Sequence, residues 1–372
     1  MTILTGFLGS GKTTLLQRLL ECEGGQGVAV LINELGEVAL DHLFVQKLTE
    51  TSMVLANGCI CCTMRSDLQQ GIRDLINDEY RGVIPPFNRI LVETTGLADP
   101  TPIAQTLVGD PLLLRQTRLA NIITTVDALF GAEQIETHEE SLRQAAIADR
   151  IVLTKTDIAT PEQIAQARAK VAEVNPMATL IDAHGEEDLW KLLFDIDPFN
   201  PETKTEEVQA WLENIGDIHE LGDDHHRHDH HHEHDHHEHD HHDHHDHEHD
   251  HDHHAGEVHH YHEDVHEEGN DIETFAIRTS TPLNWTAFAI WLSALVYKHG
   301  QEILRIKGLL NVPDANGPVV LNTVQSYITP PTHLDEWPDD DHDSRIVFIV
   351  QGLKPSLIRT SLDTFLALMD KK

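Results

Sequence analysis

Eight consecutive residues restrict the fold of this 372-residue chain more than any others: Gly6-Phe7-Leu8-Gly9-Ser10-Gly11-Lys12-Thr13. They fit G-x-x-x-x-G-K-[ST], a loop whose glycines let backbone N–H groups turn inward around phosphate oxygens while the next helix aims its positive end at them. Such a loop needs a strand before it and a helix after it. Ile3 and Leu4 supply the strand. Only five residues precede Gly6, so that strand is very short or the true start lies upstream. Leu15, Leu16, Leu19 and Leu20, at helical spacing, supply the helix. Lys12 is assigned to the β- and γ-phosphates and the Thr13 hydroxyl to Mg²⁺; Gly6, Gly9, Ser10, Gly11 and Thr14 complete the expected cradle.

The pattern downstream agrees with that start. Apolar runs at 28–32, 90–92, 122–126, 151–153 and 178–181 read as buried strands, and Leu68, Ile72, Leu75 and Ile76 mark an intervening helix. Alternating strand and helix predicts right-handed crossovers and a mainly parallel sheet covered on both faces. The end of the chain differs. Trp285, Phe288, Leu292, Leu295 and Val296 define one amphipathic helix, and 303–306, 319–321, 324–328 and 346–350 read as strands, which predicts a smaller α+β domain.

Between these parts lies a segment that cannot bury anything. Residues 222–254 contain only Gly, Asp, Glu, His and Arg227, and 19 of the 30 histidines fall between His225 and His254. Without apolar side chains to offset ordering entropy, the tract is expected to be disordered. The predicted organisation is therefore a doubly wound α/β phosphate-loop domain at 1–218, a His/Asp-rich linker at 219–270 and an α+β domain at 271–372.

Charge narrows the partners. The net charge of −37 with histidine neutral would repel nucleic acid or an anionic membrane surface. No apolar run reaches the length of about 18 residues that spans a bilayer. The start has neither a charged n-region nor a cleavage site, so no signal peptide is expected. Four cysteines, three of them within four residues, do not suit a disulfide framework. These features predict a cytoplasmic protein; its oligomeric state is left open.

Three further motifs carry chemistry. Glu93-Thr94-Thr95-Gly96 ends a strand, where Glu93 can organise Mg²⁺ and its waters and Gly96 can admit a γ-phosphate; Lys12 and Glu93 are the candidate catalytic pair. Thr154-Lys155-Thr156-Asp157 resembles N-K-x-D with Thr in place of Asn. Asp157 would accept from guanine N1–H and its 2-amino group while the Lys155 stem covers the ring, so the pair predicts GTP over ATP. Asn57-Gly58-Cys59-Ile60-Cys61-Cys62 concentrates Cys59, Cys61 and Cys62, thiolates suited to Zn²⁺, with Co²⁺, Ni²⁺ or Cu⁺ as alternatives. Cys22, on the helix after the phosphate loop, reads as packing.

Taken together, 6–14, 30–37, 57–62, 93–96 and 153–157, with 305–308 and 344–348, resemble the CobW family of P-loop GTPases. The resemblance covers nearly the whole chain outside the histidine tract. It implies a metal-binding GTPase that delivers ions, most often zinc and in one branch cobalt for cobalamin synthesis, to a metal-requiring client. It also makes 33–41 a nucleotide-sensing segment, with Glu34 and Glu37 candidates for the metal or the Mg²⁺ shell; from the residues alone these two acids are equally well solvated. Because the thiolates fall between that segment and Glu93, GTP and metal should bind cooperatively.

The imidazoles of His225, His226, His228, His230, His231, His232, His234, His236, His237 and His239 open a flexible array suited to several weakly held ions. His259, His260, His262 and His266 extend it. His42, His138, His184, His299 and His333 are scattered and read as packing or surface. Two other functions compete: metal storage with vestigial nucleotide chemistry, which intact Lys12, Thr13 and Asp157 oppose, and a small-molecule kinase, which would not need Cys59, Cys61 and Cys62.

Overall fold

The computed structural model describes residues 1–22, 25–33, 52–55, 63–185, 188–194, 208–209, 211–212, 220–221, 272–313 and 315–369. Glu34, Glu37, the three clustered cysteines and the whole histidine tract lie outside them.

The first sheet follows the expected alternation. Its elements are β1 (Thr2–Gly6), α1 (Lys12–Glu21), β2 (Val28–Asn33), β3 (Ser52–Leu55), α2 (Thr63–Tyr80), β4 (Arg89–Thr94), α3 (Pro100–Val108), α4 (Leu113–Gln116), β5 (Asn121–Asp127), α5 (Gly131–Thr137), α6 (Glu139–Ala146), β6 (Arg150–Thr154), α7 (Pro161–Val174), β7 (Thr179–Asp182) and α8 (Leu189–Phe194). The seven strands lie in the order β3-β2-β4-β1-β5-β6-β7 and every pairing is parallel. Neighbouring residues of β1 serve opposite faces. Ile3 packs with Leu68, Ile72 and Leu75 of α2, and Leu4 with Leu15, Leu16 and Leu19 of α1. Burial on both sides explains why these strands are continuous apolar runs without alternation. The four-residue β3 was not expected; Ser52-Met53-Val54-Leu55 is an edge strand paired only to β2, and its run is too short to stand out.

Because β1 lies between β4 and β5, the chain reverses its direction of winding there. The carboxyl ends of β1, β4 and β5 therefore border one crevice, the place where open parallel sheets bind ligands.

The second sheet is built from β8 (Glu220–Leu221), β9 (Ile272–Thr279), β10 (Ile303–Leu310), β11 (Val319–Val324), β12 (Tyr327–Ile328), β13 (Thr332–His333) and β14 (Ser344–Gln351), with helices α9 (Trp285–His299) and α10 (Pro355–Met369). Its order is β12-β11-β10-β14-β9-β8, with β13 also on β11. The β8–β9 pair is parallel and the other pairs are antiparallel. Three expectations change. The run at 324–328 is two strands parted by a turn in which Gln325 takes a φ of 49°. Strand β9 and helix α10 were not foreseen. Glu220–Leu221, assigned by sequence to the linker, pairs with Ala276 and Ile277 instead.

One face of this sheet packs on its own helices through Phe275, Ile306, Phe348, Phe288, Trp291 and Leu362. The opposite face, through Ala276, Leu304, Val347 and Ile349, joins the same core as Ala145, Ala146 and Ile147 of the first sheet's helical layer. A sheet buried on both faces explains why all eight residues of β10 are buried.

Candidate nucleotide site

The phosphate loop turns back over its own sheet. Gly6 has a φ of 143°, and a Cβ there would lie 2.2 Å from Thr125 Oγ1, so only glycine fits between the loop and β5. Gly11 begins α1 in the left-handed region at φ 89°. The Ser10 hydroxyl shares a 2.6 Å hydrogen bond with Thr125, and the Thr154 hydroxyl donates to the Ser10 carbonyl at 2.7 Å. Residues at the ends of β5 and β6 thereby brace the loop.

Lys12 is buried in this cradle. Its ammonium donates to the carbonyls of Gly6 at 2.8 Å and Phe7 at 3.1 Å. Burial lowers its pKa, and the nearby charge of Glu93 opposes that shift. A desolvated cation held at the mouth of a loop is poised for an anion. Thr13 follows on α1, and its hydroxyl donates to Glu93 Oε1 at 2.9 Å. Glu93 is itself buried at the end of β4, where the Thr94 hydroxyl donates to that of Thr5 at 2.8 Å. The Thr95 hydroxyl is buried without a hydrogen-bond partner among the described residues. Thr14 is exposed one residue beyond Thr13.

Gly96 lies against the phosphate loop. A Cβ there would meet Leu8 N at 2.7 Å, so the bare glycine lets the segment after β4 touch the phosphate loop itself. Gln144 of α6 holds that segment, donating to the carbonyls of Gly96 at 3.2 Å and Ala98 at 3.0 Å. Asp99 then accepts from Thr101 N at 2.9 Å and begins α3, while Arg143 donates to its other oxygen at 3.0 Å.

The residues expected to read the base lie at the ends of β6 and β7. Lys155 adopts a left-handed φ of 59° and its ammonium pairs with Asp127, which is buried at the end of β5. That pairing stretches the lysine stem across the space between two strand ends. Asp157 is half exposed and faces His184 across 3.5 Å. Thr156, between the two motif residues, donates to Asp182 Oδ1 at 2.5 Å.

Gly6, Gly9, Ser10, Gly11, Lys12, Thr13, Glu93, Gly96, Lys155 and Asp157 thus fall along one edge of the sheet. Asp127, Thr125, Gln144 and His184 were missed. Asp127 carried the same signal as Glu93, an acid closing an apolar strand; the others are distant in sequence and give no local sign. Among the described residues no cluster of histidine, cysteine or acidic side chains is arranged to hold a metal ion.

A glycine-rich loop at the crevice of a parallel sheet, with a buried lysine and a strand-end carboxylate on the next hydroxyl, defines a P-loop nucleotide-binding protein. Residues 1–182 match the CobW/HypB/UreG nucleotide-binding domain, and residues 272–366 match the cobalamin synthesis protein CobW C-terminal domain. The chain belongs to the CobW family.

It is 39% identical over 200 residues to the zinc chaperone YjiA of Escherichia coli, covering 54% of this chain and 62% of that protein. It is 33% identical over 211 residues to zinc-regulated GTPase metalloprotein activator 1 of Schizosaccharomyces pombe, covering 54% of this chain and 50% of that one. The matched stretches thus span between half and two thirds of these relatives' lengths. The crystal structure of Zn(II)-bound YjiA GTPase from Escherichia coli aligns with 98% of both chains at a TM-score of 0.62 and 25% identity. Among the described residues no helix is long and apolar enough to cross a membrane.

Proposed function

We propose that this chain is a GTP-hydrolysing metallochaperone that holds zinc, or cobalt or nickel in its place, and passes it to a metal-requiring client. The observation that carries the reading is the gathering of the phosphate loop, the Thr13–Glu93 pair and the Lys155–Asp157 reader along one strand-end edge, in a chain of this family.

Lys12 would neutralise charge on the β- and γ-phosphates. Mg²⁺ takes oxygen ligands and is commonly bound through one or two carboxylates with substrate phosphates, and the Thr13 hydroxyl and Glu93 carboxylate are oxygen donors already 2.9 Å apart. Those two residues would hold it, and it would supply charge neutralisation of the phosphates. Asp157 would read guanine through two accepted hydrogen bonds. The Thr154 hydroxyl, bonded to the Ser10 carbonyl, takes over bracing that the absent Asn amide would otherwise give.

The metal would be cargo, bound by Cys59, Cys61 and Cys62 with Glu34 and Glu37 as further candidates; three adjacent thiolates match a borderline ion. Relatives named as a zinc chaperone and as a zinc-regulated metalloprotein activator support zinc first. The histidine tract would serve as a reservoir of weakly held ions beside them. The test is hydrolysis of GTP and ATP with and without Zn²⁺, Co²⁺ and Ni²⁺, alongside metal binding with and without Mg²⁺-GTP. Hydrolysis specific to GTP, with mutual strengthening of metal and nucleotide, is the expected result. Metal binding indifferent to nucleotide would leave a storage protein instead.

A further inference from the structure

His184 sits two residues past β7, where nothing in the sequence singles it out. Its surroundings do. The backbone N–H of His184 donates to Asp182 Oδ1 at 2.9 Å, which fixes the turn that carries the ring. That same carboxylate oxygen accepts the Thr156 hydroxyl at 2.5 Å. Arg168 lies 3.9 Å from the other oxygen of Asp182. The ring's Nδ1 lies 3.3 Å from Thr156 Oγ1 and 3.5 Å from Asp157 Oδ1.

These contacts set the direction of the hydrogen bonds. A carboxylate only accepts, so the Thr156 hydrogen is committed to Asp182 and the hydroxyl offers Nδ1 a lone pair. Asp157 likewise offers only lone pairs. Both neighbours of Nδ1 are acceptors, so the tautomer that satisfies them carries its proton on Nδ1. The imidazole then donates to Thr156, with the Asp157 carboxylate 3.5 Å from the same nitrogen. The Nδ1–H dipole beside Asp157, which is half exposed on a turn, favours one rotation of its carboxylate.

We propose that His184 is a positioning residue for purine-base recognition: it orients the Asp157 carboxylate so that both oxygens meet guanine, and so sets selectivity and not the rate of hydrolysis. This inference rests on the reading of the chain as a GTPase. Two donors of guanine, N1–H and the 2-amino group, must align with two oxygens. Inosine offers only the first and adenine neither. Rotational freedom of Asp157 therefore costs guanine most, hypoxanthine less and adenine nothing.

The experiment compares KM and kcat for GTP, ITP and ATP in the full chain and in His184→Ala and His184→Asn. Asparagine keeps an amide N–H near the place of Nδ1–H. The expected result for His184→Ala is a KM for GTP raised about 3- to 10-fold, the scale of one neutral hydrogen bond, with kcat held. The KM for ITP should rise less, that for ATP should not move, and His184→Asn should restore most of the GTP value. The imidazole is 41% exposed and outside the apolar core, so all three proteins should share one circular-dichroism spectrum and nearly one melting temperature. A wild-type preference for GTP over ITP that survives His184→Ala would overturn the proposal and leave the GTPase reading intact. A wild-type chain that takes ATP as well as GTP would overturn both.

Discussion

Two regions of the molecule bury charge, and they do so to different ends. At the seam between the sheets, Arg305 of β10 is 1% exposed; its guanidinium pairs with Asp149 and donates to the Ile147 carbonyl at 2.9 Å. Asp149 also accepts from Ile122 N at 2.9 Å, and Lys307 lies 4.0 Å from it while donating to the Met177 carbonyl at 3.2 Å. Each charged side chain there has an oppositely charged partner within 4.0 Å, although Arg305 Nε is buried without a hydrogen-bond partner among the described residues. Among the described residues, Lys12 at the phosphate loop donates to two loop carbonyls beside the charge of Glu93, the Thr95 hydroxyl has no partner, and Glu93 accepts from the hydroxyl of Thr13. The seam pairs its charges with one another, whereas the loop presents its buried ammonium at the crevice beside the strand ends. Burial alone does not distinguish a working charge from a structural one; its place does, in a packed seam or at a ligand crevice.

The comparison breaks most sharply at the seam. Arg305→Ala should cost about 3 kcal/mol of unfolding free energy, the low end of the range for breaking a buried pair, because Lys307 remains to answer Asp149. Urea unfolding measures it, and nucleotide affinity should stay unchanged. Arg305→Met, which keeps the volume, should lose less. If Arg305→Ala unfolds at the same urea concentration as wild type, the seam is not held by this pair.

Lys12 should give the opposite pattern. Lys12→Ala should lower kcat for GTP by roughly 10²–10³-fold, the scale for removing one preorganised charge or donor at the reacting group. Stability should not fall. Burial lowers the lysine's pKa in the folded state, so below that pKa the ammonium is a stability cost, present in full and relieved as pH rises toward the unfolded value of about 10.4. Lys12→Met should therefore melt at or above the wild-type temperature near neutral pH, and the difference should shrink at alkaline pH. A loss of stability in Lys12→Met would make this lysine structural, like Arg305.

How much of this contrast was legible beforehand follows from the range of the interactions. The loop, its lysine and the apolar strands are local patterns, and they led to the parallel sheet and its nucleotide edge. The partners that give those residues meaning are remote. Ser10 meets Thr125 across 115 residues, Gly96 is held by Gln144 across 48, and Arg305 meets Asp149 across 156. No spacing rule reaches that far. Strand β9 escaped notice because Glu273 and Thr274 interrupt its apolar residues, and it is legible only once β14 lies beside it. The turn at Gln325 was hidden because nothing but a positive φ separates β11 from β12.

A third change sharpens the comparison within the nucleotide edge. Asp157→Asn replaces an oxygen acceptor with a donor where guanine presents two donors, so one bond is lost and one becomes repulsive. The preference for GTP over ATP should fall roughly 10- to 100-fold, the scale of hydrogen bonds to a charged group. Competition titration of the two nucleotides reads it. Asp127→Asn, which keeps a partner for Lys155 but loses the charge, should cost less and affect both nucleotides through the phosphate-loop side of the pocket. Equal effects of the two variants on the GTP:ATP ratio would place base recognition elsewhere.

The smallest effect on the folded parts should come from removing the most unusual part of the sequence. Residues 223–254 carry 19 histidines and 12 acidic side chains and no apolar one, so their deletion takes away imidazoles and carboxylates but no apolar side chain. An imidazole ligates only when neutral, and its ordinary pKa is about 6.5. Metal capacity of the full chain should therefore fall steeply between about pH 7.5 and 6, since protons compete for the same nitrogen lone pairs. Deletion should abolish those several weak, pH-sensitive ions. It should leave one tight ion on Cys59, Cys61 and Cys62 and leave GTP hydrolysis within about twofold, because Lys12, Thr13 and Glu93 are held by one another and by the phosphate loop, and the tract has no apolar side chain with which to pack on them. Metal titration of both proteins at the two pH values, with GTP turnover measured in parallel, decides it. Loss of the tight ion or of turnover on deletion would make the histidines part of the metal centre, and the contrast between the seam and the nucleotide edge would have to include them.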